Sequence, residues 1–289
     1  MKKWKGIALG AVTVGVAFGI SACGGSCGGE KNIMVISRDA ESGTRAAFEE
    51  IVKKDGVKLQ DATLTDDMEM ASGTGIVKSK VETNETAIGY ISFSSLDDSV
   101  KALEVDGVYP SVATVQNGEY KMTRPFVLMT PTARELSPLA QDFFNFCMST
   151  DAQDEIAAAG CIESSREFTT YSTAEATLSG TIRVEGSTSM QDIMDALIGE
   201  YKKVQPSVTV TPTYNGSSNG RSAVENDTTG NTIGLASSSK QNDKYEQHTL
   251  CIDAIAVIVH KENTLDGLTV EQLFDIYTGE ITKFSEIAG

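Results

Sequence analysis

The residue types best suited to chemistry in this 289-residue chain lie in two short stretches, Arg38-Asp39-Ala40-Glu41-Ser42-Gly43-Thr44-Arg45 and Gly186-Ser187-Thr188-Ser189-Met190-Gln191. Each follows a run rich in β-branched residues (33–37 and 181–185) and opens a helical pattern. Hydroxyls and free N–H groups at a helix start converge on one spot, so the chemistry these stretches offer is the holding of an anion. Taken singly such loops are ordinary, because Ser, Thr and Gly are the usual capping and turn residues, and a lone Arg38 commonly pairs with Asp39 or Glu41 at the surface. An arginine joined to a Ser-Gly-Thr helix start is more specific: guanidinium and amides together match a tetrahedral oxyanion.

Strand-like and helix-like segments alternate around these loops. In the first part, 33–37, 87–93 and 125–129 read as strands, and 44–54, 137–148 and 151–159 as helices. After a Ser/Thr/Ala-rich joint at 169–179 the pattern restarts with a strand at 181–185. The helix that follows carries Met190, Ile193, Met194, Leu197, Ile198 and Tyr201 on one face. Thr188 with Gln191 fits a capping box at its start. A strand at 207–214 leads through Asn215-Gly216-Ser217-Ser218-Asn219-Gly220 into a short helix, 233–236 ends at Ser237-Ser238-Ser239, 252–259 is a buried-type strand, and 270–277 is a helix. This alternation predicts an α/β architecture. Ligands of open α/β sheets sit at the carboxyl ends of strands, so the four hydroxyl-rich loops that end strands here could converge on one.

Residues 1–22 describe an address: a basic Met1-Lys2-Lys3-Trp4-Lys5, an apolar stretch too short and Gly-rich to span a bilayer, and Ile20-Ser21-Ala22-Cys23, a bacterial lipoprotein cleavage pattern. Cys23 is then the lipidated first residue and 23–31 a flexible tether, placing the protein outside the cytoplasm, on the outer face of the cell membrane. An ordinary secretory signal is the alternative. The net charge of −16 falls further when Lys2, Lys3 and Lys5 leave, which argues against nucleic-acid partners and means that an anion is held by local dipoles against an unfavourable global field. Cys147, Cys161 and Cys251 lack metal-type spacing and read as buried free thiols, although Cys147 and Cys161 can pair in an oxidising compartment. His248 and His260, the only histidines, suggest neither a zinc site nor a Ser-His triad.

Together the loops carry a family resemblance. The 38–45 stretch resembles the R-x-x-x-SGT-R signature in the second half of phosphate-binding proteins that serve phosphate ABC transporters. Gly186-Ser187-Thr188-Ser189, Asn215-Gly216-Ser217-Ser218 and Ile233-Gly234-Leu235-Ala236-Ser237-Ser238 resemble the three ligand loops of the first half. Ala87-Ile88-Gly89-Tyr90-Ile91 and LTVEQLFDIYTG (268–279) resemble framework segments, so the match covers nearly the whole chain after the leader. In the family the GSTS half comes first, whereas here the SGTR half occupies roughly 32–170 and the GSTS half 178–289. Residues 281–289 would ordinarily lead into 33–38, so the chain reads as a circular permutant; a rearranged gene lacking a partner half is the rival reading.

The resemblance implies a two-lobed, type II periplasmic-binding-protein-like α/β fold with a hinge and an interlobe cleft, in circularly permuted order. One lobe (32–123 with 264–289) would carry the SGTR loop, and the other (124–170 with 178–263) the GSTS and NGSS loops. Residues 171–177 would be the joint, with crossings near Arg124-Pro125 and at 260–263. Phosphate contacts would come from Arg38, Ser42, Gly43 and Thr44 on one side and Thr188, Ser189, Ser217 and Ser237 on the other, with no catalytic residue, metal or cofactor. Some family members carry a carboxylate at the Ser237 position, so phosphate selectivity here would rest on other acceptors such as Asp39 or Glu41. Glu41 also replaces a common glycine. The implied function is a monomeric, lipid-anchored phosphate-binding protein that docks on ABC permease subunits. A surface oxyanion sensor, a protein for another anion such as sulfate, and a phosphate-ester hydrolase are the alternatives.

Overall fold

The computed structural model describes residues 32–163, 169–172 and 178–287; the leader, Cys23, the tether with Cys27 and part of the joint lie outside them. The first unit runs β1 (Met34–Arg38), α1 (Gly43–Ile51), β2 (Glu69–Ala71), α2 (Thr74–Glu82) and β3 (Ala87–Ser92). Strand β1 lies between β2 and β3 and is parallel to both. Next come β4 (Thr123–Pro131) and α3 (Pro138–Cys147). The second unit repeats the first: β5 (Gly180–Gly186), α4 (Gln191–Val204), β6 (Val208–Tyr214), α5 (Ser217–Glu225) and β7 (Thr232–Ala236). Here β5 lies between β6 and β7, again parallel to both. The long β8 (Tyr245–His260) and α6 (Val270–Thr278) complete the main elements.

Antiparallel pairing of β7 with β4, β4 with β8 and β8 with β3 joins the two units, giving the path β6-β5-β7-β4-β8-β3-β1-β2. Strands β1, β3 and β7 are buried along nearly their whole length, as parallel strands inside a covered sheet are, whereas β6 at the sheet edge alternates between buried and more exposed residues. Helix α4 buries Ile193, Met194, Leu197 and Tyr201, the stripe its spacing predicts. Helix α1 is shorter than the predicted 44–54: Lys53–Lys54 and Val57–Lys58 form a tight hairpin instead. Asp55 and Gly56 at its tip have φ of 51° and 81°, the left-handed geometry such turns demand.

Each unit has its own apolar core. One gathers Phe48, Tyr90, Leu103, Val257, Leu273 and Tyr277, and the other Phe126, Phe143, Leu197, Tyr201, Ile233 and Leu250. Core membership changes between Met122 and Phe126 on the way out and between Cys251 and Ala254 on the way back. The return crossing therefore lies inside β8 and not at the expected 260–263. The apolar run 252–259 looks the same whichever core it enters; pairing of Ile255–Val259 with β3 decides it. At the crossing, Arg124 and Asp253 stand opposite each other in register and form a fully buried ion pair (Nη2–Oδ2 2.9 Å). Elsewhere, the Ile33 N–H donates to the Thr282 carbonyl at 2.7 Å, so the two ends of the described chain lie side by side.

Cys147, Cys161 and Cys251 are buried and none of them forms a disulfide, so the alternative pairing of Cys147 with Cys161 is not formed. Among the described residues no helix is long and apolar enough to cross a membrane.

Tyr90 stacks on Phe48 (centroids 4.0 Å apart), and its hydroxyl bonds Ser37 Oγ at 2.8 Å. Burial pushes its pKa up to about 12, above the ordinary value near 10. The native state thus holds a proton that the unfolded chain releases, so stability is full below pH 10 and is lost as pH rises through about 12. Thermal melts across that range are expected to show a falling midpoint, with a shallower fall in Tyr90→Phe; equal slopes would contradict the assignment.

Candidate functional site

The first βα turn of each unit faces the other. Arg38 ends β1 and Ser42 caps α1, its Oγ accepting from the Arg45 N–H at 3.2 Å. The backbone there is pinned from beneath, since the Arg38 N–H donates to the Tyr90 hydroxyl at 3.3 Å. Arg45 donates to the Arg38 carbonyl (3.1 Å) while pairing with Glu49, which holds the turn from outside.

The Arg38 side chain is 2 % exposed. Its Nε donates to the Ala71 carbonyl (3.1 Å), Nη1 to Thr74 Oγ1 (3.4 Å) and Nη2 across the cleft to Thr188 Oγ1 (3.1 Å). All three partners are neutral. Burial lowers its pKa, partly offset by the charge of Asp39, but a guanidinium stays protonated. A buried cation satisfied only by a carbonyl and hydroxyls is strongly attractive to an anion.

Opposite it, Thr188 and Ser189 lie in a short 3-10 turn (Thr188–Met190) that precedes α4. The predicted Thr188–Gln191 capping box does not form: Ser187 caps this turn through the Ser189 N–H, which leaves the Thr188 hydroxyl free to meet Arg38. Ser189 Oγ bonds Thr44 Oγ1 at 2.9 Å. Ser217, first residue of α5, accepts the Ser237 N–H at 3.1 Å, and the two hydroxyls are 3.4 Å apart. Gly43 closes the ring: a Cβ there would lie 2.3 Å from Ser217 Oγ and 2.8 Å from Ser237 Oγ. The structure thus brings seven of the eight expected residues into one layer where the units meet. Ser42 joins them through its backbone position, while its hydroxyl serves α1.

Main-chain contacts also bridge the units. The Ser218 N–H donates to the Glu41 carbonyl at 3.2 Å, and Gly216 (φ 111°) passes so close that a Cβ would be 2.8 Å from that oxygen. Glu41 therefore contributes through its carbonyl; its side chain is exposed, which corrects the expectation that its carboxylate serves as an acceptor. Asp39 Oδ1 is buried and carries no hydrogen bond.

Two further residues belong to this layer: Ser187, which lies in the GSTS loop but not among the expected contacts, and Thr74, which the sequence does not single out. Ser187 donates to Ser237 Oγ at 2.9 Å. Thr74 places its Oγ1 3.1 Å from Ser189 Oγ and 3.3 Å from Thr188 Oγ1. A signal was present, since Ser72-Gly73-Thr74 repeats the Ser42-Gly43-Thr44 tripeptide and likewise stands between a strand and a helix.

Two α/β lobes joined by crossing strands, and closing hydroxyl-rich helix starts over a buried guanidinium, define a protein built to enclose a small solute. The chain belongs to the PBP superfamily, whose domain model matches residues 2–151 and 171–289. The phosphate-binding protein PstS 2 of Streptococcus pneumoniae serotype 4 is 39 % identical over 298 residues, spanning 99 % of this chain and 100 % of that protein. A crystal structure of a phosphate-binding protein of a phosphate ABC transporter from S. pneumoniae TIGR4 superposes with a TM-score of 0.67 at 39 % identity, covering 89 % of this chain and 100 % of that one. The phosphate-binding protein PstS of Bacillus subtilis matches over only 130 residues, at 34 % identity, covering 45 % of this chain and 40 % of that protein.

Proposed function

We propose that this protein captures inorganic phosphate between its two lobes and delivers it to the permease subunits of an ABC transporter. The observation that carries the reading is the Arg38 guanidinium, buried among neutral partners at the meeting point of the α1 and α5 starts and the 3-10 turn. Arg38 supplies full charge, Thr44, Thr188, Ser189, Ser217 and Ser237 supply hydroxyl donors, and Gly43 permits backbone approach. Helix starts reinforce the negative-charge preference. Only closure lets both lobes donate at once, so the anion stabilises the closed form. The names of the pneumococcal relatives support phosphate as the solute. The protein is a binding protein and not an enzyme, working as a monomer outside the cytoplasm and tethered by lipid on Cys23.

Calorimetric titration of the mature protein with phosphate is expected to give a saturable heat with one site. Sulfate, which lacks a proton to donate, is expected to compete poorly because Asp39 Oδ1 and the hydroxyl oxygens favour a protonated oxyanion. Equal competition by sulfate would remove the selectivity argument, and absence of heat with either anion would remove the function. Phosphate uptake in a strain lacking the gene separates transport from sensing.

The permuted order of halves belongs to the same proposal. Its support is the adjacency of Ile33 and Thr282, where a family chain would run straight through, and the twice-built 2-1-3 strand order, which makes each unit self-sufficient. A match to the B. subtilis protein that stops near half of each chain is what swapped halves produce, whereas the end-to-end pneumococcal alignment points to relatives that share this order.

A further inference from the structure

We infer that Thr74 is a further phosphate-binding residue, the counterpart in the first lobe of Ser217 in the second; this rests on the phosphate reading above. The two units have the same β-α-β-α-β order with the first strand central, so their loops correspond one to one. The first βα turn of each unit carries proposed contacts: Arg38 to Thr44 in one, Thr188 and Ser189 in the other. The second βα turn carries one only in the second unit, at Ser217, the first residue of α5. Its topological equivalent is Thr74, the first residue of α2.

Side-chain geometry supports the correspondence independently. Thr74 is 4 % exposed, and its Oγ1 reaches three proposed contacts at once: Arg38 Nη1 (3.4 Å), Thr188 Oγ1 (3.3 Å) and Ser189 Oγ (3.1 Å). Because Arg38 donates to it, the Thr74 hydroxyl directs its own proton away from the guanidinium, toward the point where an anion would sit against Thr188 and Ser189. A hydroxyl that accepts from the cation and donates to the anion strengthens both bonds through mutual polarisation. The Thr74 N–H also points into this corner, 3.4 Å from Thr188 Oγ1. Both α2 and α5 lack a side-chain cap, Gly73 and Gly216 occupying the cap positions.

The test is calorimetry with inorganic phosphate on the mature parent, Thr74→Val, Thr74→Ser and Arg38→Ala, with thermal melts without phosphate as a folding control. Thr74→Val keeps the shape and removes the hydroxyl, and is expected to weaken phosphate binding about 10- to 100-fold. Thr74→Ser restores the hydroxyl and is expected to bind within about threefold of the parent. Should Thr74→Val not fold, Thr74→Ala removes the same hydroxyl with less bulk and is expected to show the same loss. Binding by the folded Val or Ala variant within twofold of the parent, while Arg38→Ala has lost it, overturns the assignment and leaves the phosphate reading intact. A serine variant as weak as the valine variant overturns it too, since a structural methyl and not the hydroxyl would then matter. No phosphate heat from the parent overturns both.

Discussion

Arg38→Ala is expected to abolish most phosphate binding, weakening it by about 10²- to 10³-fold, equivalent to about 3–4 kcal/mol. Among the described residues of the hydroxyl layer the guanidinium is the one full positive charge, and it reaches both lobes: Ala71 and Thr74 on its own side and Thr188 across the cleft. Deleting it removes the charge term and one of the contacts that closure makes. The effect on the phosphate-free fold is expected to be small, because burial already works against this cation, as the direction of its pKa shows. A ligand at 100 times its dissociation constant stabilises the native state by about 2.7 kcal/mol. Phosphate-dependent thermal stabilisation should therefore be clear in the parent and lost in the variant. A variant that still melts later with phosphate, by as much as the parent, would show that Arg38 is not the anchor. Arg38→Lys is expected to recover only part of the loss, since an ammonium cannot bond Ala71, Thr74 and Thr188 together with a planar fork.

The second large effect is expected from Gly43→Ala, a single methyl. Its Cβ would stand 2.3 Å from Ser217 Oγ, 3.0 Å from Ser217 Cβ and 2.8 Å from Ser237 Oγ. Every one of those atoms belongs to the opposite lobe, so neither core is disturbed and only closure is obstructed. Overpacking of this kind costs about 1–3 kcal/mol, roughly a 5- to 150-fold loss of affinity. Alanine is a better helix residue than glycine at the start of α1, so the melting temperature without phosphate is expected to hold or rise slightly. Unchanged affinity would mean that the lobes do not meet at Gly43 in the bound state. A collapse of the unliganded fold would mean that they meet permanently, with no opening to admit the anion. Measuring affinity and melting together separates these outcomes.

Much of this arrangement is legible in the chain. The alternation of apolar runs and helical stripes defines the α/β class, and the strand-then-hydroxyl pattern marks Arg38 to Thr44, Thr188, Ser189, Ser217 and Ser237, because a helix start needs such residues for local reasons that survive in one dimension. Thr74 is less legible: Ser72-Gly73-Thr74 repeats the Ser42-Gly43-Thr44 tripeptide, but β2 is only three residues long and too short to announce a βα turn. The role of Glu41 is hidden for a different reason: a side chain is visible in a sequence, whereas a carbonyl that meets the Ser218 N–H is not. The location of the return crossing is equally hidden, since the apolar residues on either side of Asp253 carry no mark of which core will receive them.

Local chemistry, written residue by residue, was enough to determine that this chain repeats one α/β unit and presents anion-favouring loops at its strand ends. Tertiary structure alone decided that those loops face each other, that Arg38 is buried among neutral partners, and that Gly43 and Gly216 are where the lobes touch. The physical reason is range: caps, turns and periodicity act over a few residues, while the contact from Arg38 to Thr188 spans 150 positions and exists only because β4 and β8 carry the chain between two cores.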